Sequence, residues 1–244
     1  GGVGYFSPDG SMDSCIVLRT AIVKDGTMHV TAGAGIVADS DPVYEQRECE
    51  AKAGALFAIP LNTWHQHFNG SGKEPARYVA VTNGPAIINM YEEPEFLFNT
   101  QHDFGNRFNG EPDYFSGKGE QKGLLLETNF VADAVNLPLI SAKERGAGGG
   151  HIRFNMARGS MNSHISQFPI GTYKKAHCHG PGAHVIILSG EGYSLMWPEG
   201  EEPRQYDWEV GSMIVPPNMW FHQHFNTGTT PANFLSLFDR VPAA

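Results

Sequence analysis

Residues 171–179 read GTYKKAHCH, and residues 211–226 read GSMIVPPNMWFHQHFN. Side chains alternate faces along a strand, so His177 and His179 project together, and so do His222 and His224. Two neighbouring strands that turn imidazoles to one interior are a way to build a metal site in a β-sheet protein. Neutral imidazole suits Fe, Mn, Zn, Ni and Cu. A buried histidine without a partner is costly, and a metal relieves that cost. The competing reading is a set of satisfied core histidines. For one His-x-His pair that reading stands first, and two pairs in a strand-rich context reverse the order.

The surrounding texture is strand-rich. From residue 151 the candidates are HIRFNMA (151–157), MNSHISQF (161–168), TYKKAHCH (172–179), HVIILS (184–189), YSLMW (193–197), SMIVP (212–216), MWFHQHFN (219–226) and ANFLSLF (232–238). Spacing of about ten residues argues an all-β sandwich or barrel. Composition agrees: 18% charged residues and 29 glycines among 244 suit short strands and turns. A net charge of −9 argues against nucleic acid or an anionic membrane as partner. Neither a secretory leader pattern nor an apolar run of about 18 residues is seen, so no membrane association is expected. Cys15, Cys49 and Cys178 are odd in number and widely spaced, which suits a reducing, cytoplasmic setting.

The second quoted stretch has a partner upstream. Residues 54–69, GALFAIPLNTWHQHFN, align with 211–226 at a constant offset of 157. Gly54 meets Gly211, Pro60 meets Pro217, and His65, His67 and Asn69 meet His222, His224 and Asn226. PARYVAV (75–81) answers PANFLSL (231–237), so two copies of one module are expected. The earlier copy has no His-x-His before it, since His29 is the single histidine of residues 1–53. It is expected to be a structural remnant packed on the complete copy. Residues 91–123 read as a connector that packs through Phe96, Phe98, Phe104, Phe108, Tyr114 and Phe115.

Segment 171–226 resembles the cupin family. Gly171, His177, His179 and Gly190 match the family's first motif, and Gly211, Pro217, His222 and Asn226 match its second. The resemblance implies a jelly-roll barrel with His177, His179 and His222 as metal ligands. The glutamate expected between them falls on Ala183 or His184, depending on the spacer. Ala183 implies a three-histidine site, while His184 makes a fourth histidine available, and His224 stands close by. Without the carboxylate, a divalent ion keeps its full charge and favours anionic co-ligands. A three-histidine site in a bicupin resembles gentisate 1,2-dioxygenase, which implies Fe(II), with Mn, Ni or Zn as alternatives, and a small aromatic or organic acid as substrate. Tyr173 and Lys175 share parity with His177, so Lys175 is expected to meet a substrate carboxylate and Tyr173 a ring. Solvent-exposed rim positions are the alternative for both.

Residues 1–53 carry a different resemblance. GYFS, MDSCIVLRT, AGAGIVADSDP and EQRE are similar to chorismate-utilising enzymes, with anthranilate synthase component I nearest in character. The resemblance implies that Arg19 grips a carboxylate, Gly33 and Gly35 offer backbone N–H groups, and Glu48 helps hold Mg2+. Other residues that such enzymes need do not precede Gly1, so no chorismate chemistry is expected from this segment. A hairpin turning at Asp25-Gly26 and a helix from Pro42 to about Ala53 are expected here.

The chain is therefore expected to be mainly β: residues 1–53 a hairpin-plus-helix segment, 54–90 a partial cupin module, 91–123 a connector and 124–244 a complete cupin barrel. Its expected function is metal binding, with Fe(II) dioxygenase activity as the enzymatic form. The alternatives are a non-catalytic metal- or ligand-binding cupin remnant, and a chorismate-enzyme fragment with an incomplete site. The apolar edge of the N-terminal hairpin is expected to dock on the barrel or on a second copy of the chain, which leaves a homo-oligomer open.

Overall fold

The computed structural model describes residues 2–6, 12–16, 20–24 and 27–31 as backbone, and residues 54–70, 75–142, 148–180 and 182–239. The N-terminal part forms two hairpins. One pairs β1 (Gly2–Phe6) with β2 (Met12–Ile16), the other β3 (Thr20–Lys24) with β4 (Thr27–Thr31). Lys24 stands opposite Thr27, and Asp25-Gly26, where a turn is expected, lies outside the described residues. Strands β2 and β3 thus belong to two separate sheets. The helix expected at 42–53 lies outside the described residues.

The remaining strands are short and antiparallel for the most part. Two of them, β5 (Leu56–Phe57) and β8 (Phe130–Val131), pair with each other. Helices α1 (Gly84–Tyr91) and α2 (Pro94–Phe98) interrupt the chain between them, each with proline in its first turn. Then follow β6 (Glu120–Lys122), β7 (Leu125–Glu127), β9 (Ile140–Ser141), β10 (Gly150–Asn155), β11 (Met161–Phe168) and β12 (His184–Ser189). The last five are β13 (Gly192–Trp197), β14 (Arg204–Trp208), β15 (Met213–Ile214), β16 (Phe221–Asn226) and β17 (Ala232–Asp239). Among the described residues no helix is long and apolar enough to cross a membrane.

Two sheets carry the site. The larger runs β15-β12-β17-β11-β10-β7-β6, with β9 on β10, and the smaller runs β14-β13-β16. The middle strands of the larger sheet are buried on both faces. Ile152, Phe154, Ile165 and Leu235 face one core, covered from outside by Leu56, Ala58, Leu137 and Leu139. Phe168, Ala183, Val185, Ile187 and Phe234 face the other, closed by Trp208 of the small sheet. Residues 232–236 are buried without a break, as a strand covered on both sides demands. Each fully buried Phe or Ile here contributes about 2–3 kcal/mol of transfer free energy.

The two copies of the repeat differ in surroundings. The 211–237 copy supplies β15, β16 and β17, each paired in a sheet. The earlier copy contributes β5 and docks its start through Ala58 N–H to Asn129 O at 3.1 Å and Ala134 N–H to Gly54 O at 2.8 Å. Residues 58–70 and 75–83 form no strand, and Trp64 is 87% exposed. One motif glycine shows why its position is fixed. Gly190 has φ +84°, and a Cβ there would stand 2.7 Å from Ala232 Cα.

Candidate metal centre

The site begins with β16. Its residues alternate, so that His222, His224 and Asn226 are buried while Phe221, Gln223 and Phe225 face outward. Segment 171–179 runs along its free edge. His177 N–H donates to His222 O at 3.1 Å, and His222 N–H donates back to His177 O at 2.9 Å. The two residues stand directly opposite each other, so they share a face.

Parity does not carry back from His177 to Tyr173. Tyr173 stands opposite Phe225, four residues before His177, whereas Phe225 lies three residues beyond His222. The segment therefore holds one extra residue, a β-bulge, and the faces exchange. Tyr173 lies on the outer side, 48% exposed, with its ring 5.8 Å from Phe225. Lys175 is exposed. Lys174 takes the inward place: its Nζ donates to Ser166 Oγ at 2.6 Å and lies over the rings of Phe168 and Phe234. Tyr173 thus stands on the opposite face from His177 and His222, while Lys175 is exposed, as His177 and His179 are.

Three imidazoles converge at the mouth of the sheet pair. His177, His179 and His222 each offer a ring nitrogen, and these atoms lie within 4.8 Å of one another. Ring centroids are 4.3 Å apart for His177–His222, 5.0 Å for His179–His222 and 5.5 Å for His177–His179. His177 and His179 are exposed, while His222 is 4% exposed. Local backbone sets two tautomers. The Nδ1 atoms of His177 and His222 lie 3.0 and 3.2 Å from the carbonyls of Lys175 and Trp220. A carbonyl only accepts, so Nδ1 carries the proton and Nε2 carries the lone pair a metal needs. His65 repeats this contact in the earlier copy, with Nδ1 3.0 Å from Thr63 O. Its ring and that of His67 are exposed and 5.4 Å apart.

The other candidates stand apart. His224 lies deeper, 3% exposed, with Nδ1 2.7 Å from Ser194 Oγ and its ring against Phe234. Its contact to His222 is a ring contact of 5.6 Å, and it is not part of the convergent group. Just before β12, Ala183 packs in the same core as Val185 and Ile187. His184 falls on the other face with Ile186 and Leu188, which pack on the opposite core. Ala183 therefore occupies the inward position where the glutamate was expected. Arg19, Gly33, Gly35 and Glu48 lie outside the described residues. Asn226, which matches the second cupin motif, acts as a clamp. Its amide lies 2.9–3.3 Å from the carbonyls of Phe168, Pro169 and Thr230, and its Oδ1 accepts from Gly228 N–H. It ties β16 to the turn that leads into 171–179.

Burial holds the rings of His222 and His224 neutral. It pushes the His222 imidazole down to about 4, assisted by the neighbouring His177, and pushes His224 well below its usual value. The unfolded chain binds a proton near pH 6.5, and folded His222 does not until about pH 4. Its contribution to stability is therefore complete above pH 6.5 and is lost as pH falls toward 4, a change on the order of 3 kcal/mol. Metal-free protein is expected to melt progressively lower from pH 7 to pH 4.5. An unchanged melting temperature over that range would count against buried neutral rings.

Comparison with known proteins divides the chain. Residues 1–58 match the family model of the chorismate binding enzyme. Anthranilate synthase component 1 of Cereibacter sphaeroides is 55% identical over 56 residues, 23% of this chain and 11% of that protein. Its counterpart in Acetivibrio thermocellus is 59% identical over 57 residues, 23% of this chain and 12% of that protein. The chain thus spans only about a tenth of the length of these relatives. Among solved structures, a cupin 2 conserved barrel domain protein from Rhodopseudomonas palustris overlaps 43% of this chain and 70% of its own, at 20% identity and a TM-score of 0.36. A predicted oxalate decarboxylase from Thermotoga maritima overlaps 43% of this chain and 91% of its own, at 20% identity and a TM-score of 0.35. The chain is similar to chorismate-binding enzymes over residues 1–58, and to cupin domains over less than half its length.

Proposed function

We propose that the β-rich part of the chain is a metal-binding cupin-type module that holds one divalent ion through His177, His179 and His222. The reaction we assign to it is Fe(II)-dependent oxygen chemistry on a small aromatic or organic acid. The convergence of three imidazole nitrogens within 4.8 Å carries this reading. The donor set fits: Nδ1 contacts set the tautomer at His177 and His222, and burial keeps His222 neutral and ready to ligate. The convergent group contains no carboxylate, so the charge of a bound divalent ion is uncompensated and favours anionic ligands. When bound, such an ion supplies Lewis acidity, lowers the pKa of a coordinated hydroxyl and orients the reactants. The chain's own residues set the frame. Asn226 anchors the strand that carries His222, and exposed His177 and His179 leave the approach open to a small molecule.

A second reading is metal binding without turnover. The exposure of two of the three histidines favours it, because reactive centres are usually shielded from water. Anaerobic loading with Fe(II), followed by oxygen uptake on a panel of hydroxybenzoates and short organic acids, separates the two. Substrate-dependent uptake is expected. Stoichiometric iron with no uptake on any acid assigns the second reading, and a chain that retains no metal overturns both.

A further inference from the structure

Lys174 is the cation that the bulge turns inward. Its ammonium donates to Ser166 Oγ at 2.6 Å, and Ser166 is 1% exposed. It also lies 5.7 Å from the Phe168 ring centre and 5.3 Å from that of Phe234, rings that are 1% and 0% exposed. Phe234 in turn packs its ring 4.9 Å from His224, which touches His222. The positive charge is thus held by buried groups on the inner side of the centre, where solvent screens it less than at the surface.

We propose that Lys174 is a specificity-determining residue that makes the three-histidine centre select carboxylate-bearing ligands over neutral ones of similar shape. This rests on the reading of His177, His179 and His222 as metal ligands. Lys174 acts through space rather than by touching the ion. Its charge attracts an anion arriving at the centre and repels the metal cation itself. Removing it should therefore move two affinities in opposite directions, which loss of packing cannot do.

The test uses the full chain loaded with Co(II) as a spectroscopic probe. Metal affinity is read by chelator competition, and the visible spectrum is titrated with benzoate and with neutral pyridine. Lys174→Met keeps the aliphatic stem against Phe168 and Phe234 while removing the charge. It is expected to weaken benzoate about tenfold, leave pyridine within about twofold and tighten Co(II) several-fold. Lys174→Arg should restore benzoate binding, and Lys175→Met, which removes an exposed charge next door, should change nothing measurable. Equal weakening of benzoate and pyridine, or weaker Co(II) binding, would overturn the role of Lys174 while leaving the metal centre standing. Wild-type protein that binds no Co(II) would overturn the metal centre itself, and Lys174's role with it.

Discussion

Replacing His222 with alanine is expected to take bound metal from about one ion per chain to almost none after dialysis, a loss of at least ~100-fold in affinity. His222 is the buried member of the triad, and its ring lies 4.3 and 5.0 Å from those of His177 and His179. Two exposed imidazoles that remain are a weak surface pair. His177→Ala should behave in the same way, since the backbone bonds between His177 and His222 stay while the donor goes. His184→Ala is the discriminating variant. Its side chain shares the face of Ile186 and Leu188, so metal content should stay at the wild-type level. Elemental analysis of the four proteins decides the matter, and equal loss in His184→Ala would establish a four-histidine site instead.

Phe234→Ala is expected to destabilise the two-sheet core by about 3–5 kcal/mol, measured by urea unfolding. Phe234 is 0% exposed, and its ring meets those of Phe168, Trp208 and His224 at 5.1, 4.9 and 4.9 Å. It joins the two sheets at the point where the histidine strand crosses the core. The void cannot collapse easily, because the opposing side chains belong to paired strands. Metal affinity should fall as well, since His224, the inner neighbour of His222, rests on this ring. A loss below about 1 kcal/mol would show that the sheets are not packed face to face here.

How much of this was legible beforehand differs by element. β10, β11, β12, β13, β16 and β17 fall where alternation and turn spacing place them, because each buries one or both faces. β14 was not foreseen. RQYDW carries four exposed positions and one buried tryptophan, and so lacks an alternating signal. Segment 172–179 read as a strand, yet it pairs only through two isolated bridges. The repeat at an offset of 157 was visible in letters, but its outcome was not. HQHFN at 65–69 lies exposed, whereas the same letters at 222–226 form the inner strand. Identical residues take different structures: among the described residues, 221–226 pair with β13, while 65–69 form no strand.

The amino-acid sequence by itself determined the mainly β character, the two His-x-His pairs, the resemblance of residues 1–53 to chorismate-utilising enzymes, and five histidines, His177, His179, His184, His222 and His224, as candidates to meet around one ion. These are local properties: strand periodicity and motif spacing survive without knowledge of neighbours. Tertiary structure decided the rest. It chose Ala183 over His184 for the inner face, set His224 apart behind Ser194, and put Lys174 rather than Tyr173 or Lys175 inside. Each of these depends on which residue stands opposite another across a sheet. A single bulge between Lys174 and His177 shifts that register by one and exchanges the two faces. Parity counted along one strand contains no record of such a bulge, because the pairing that creates it belongs to the partner strand.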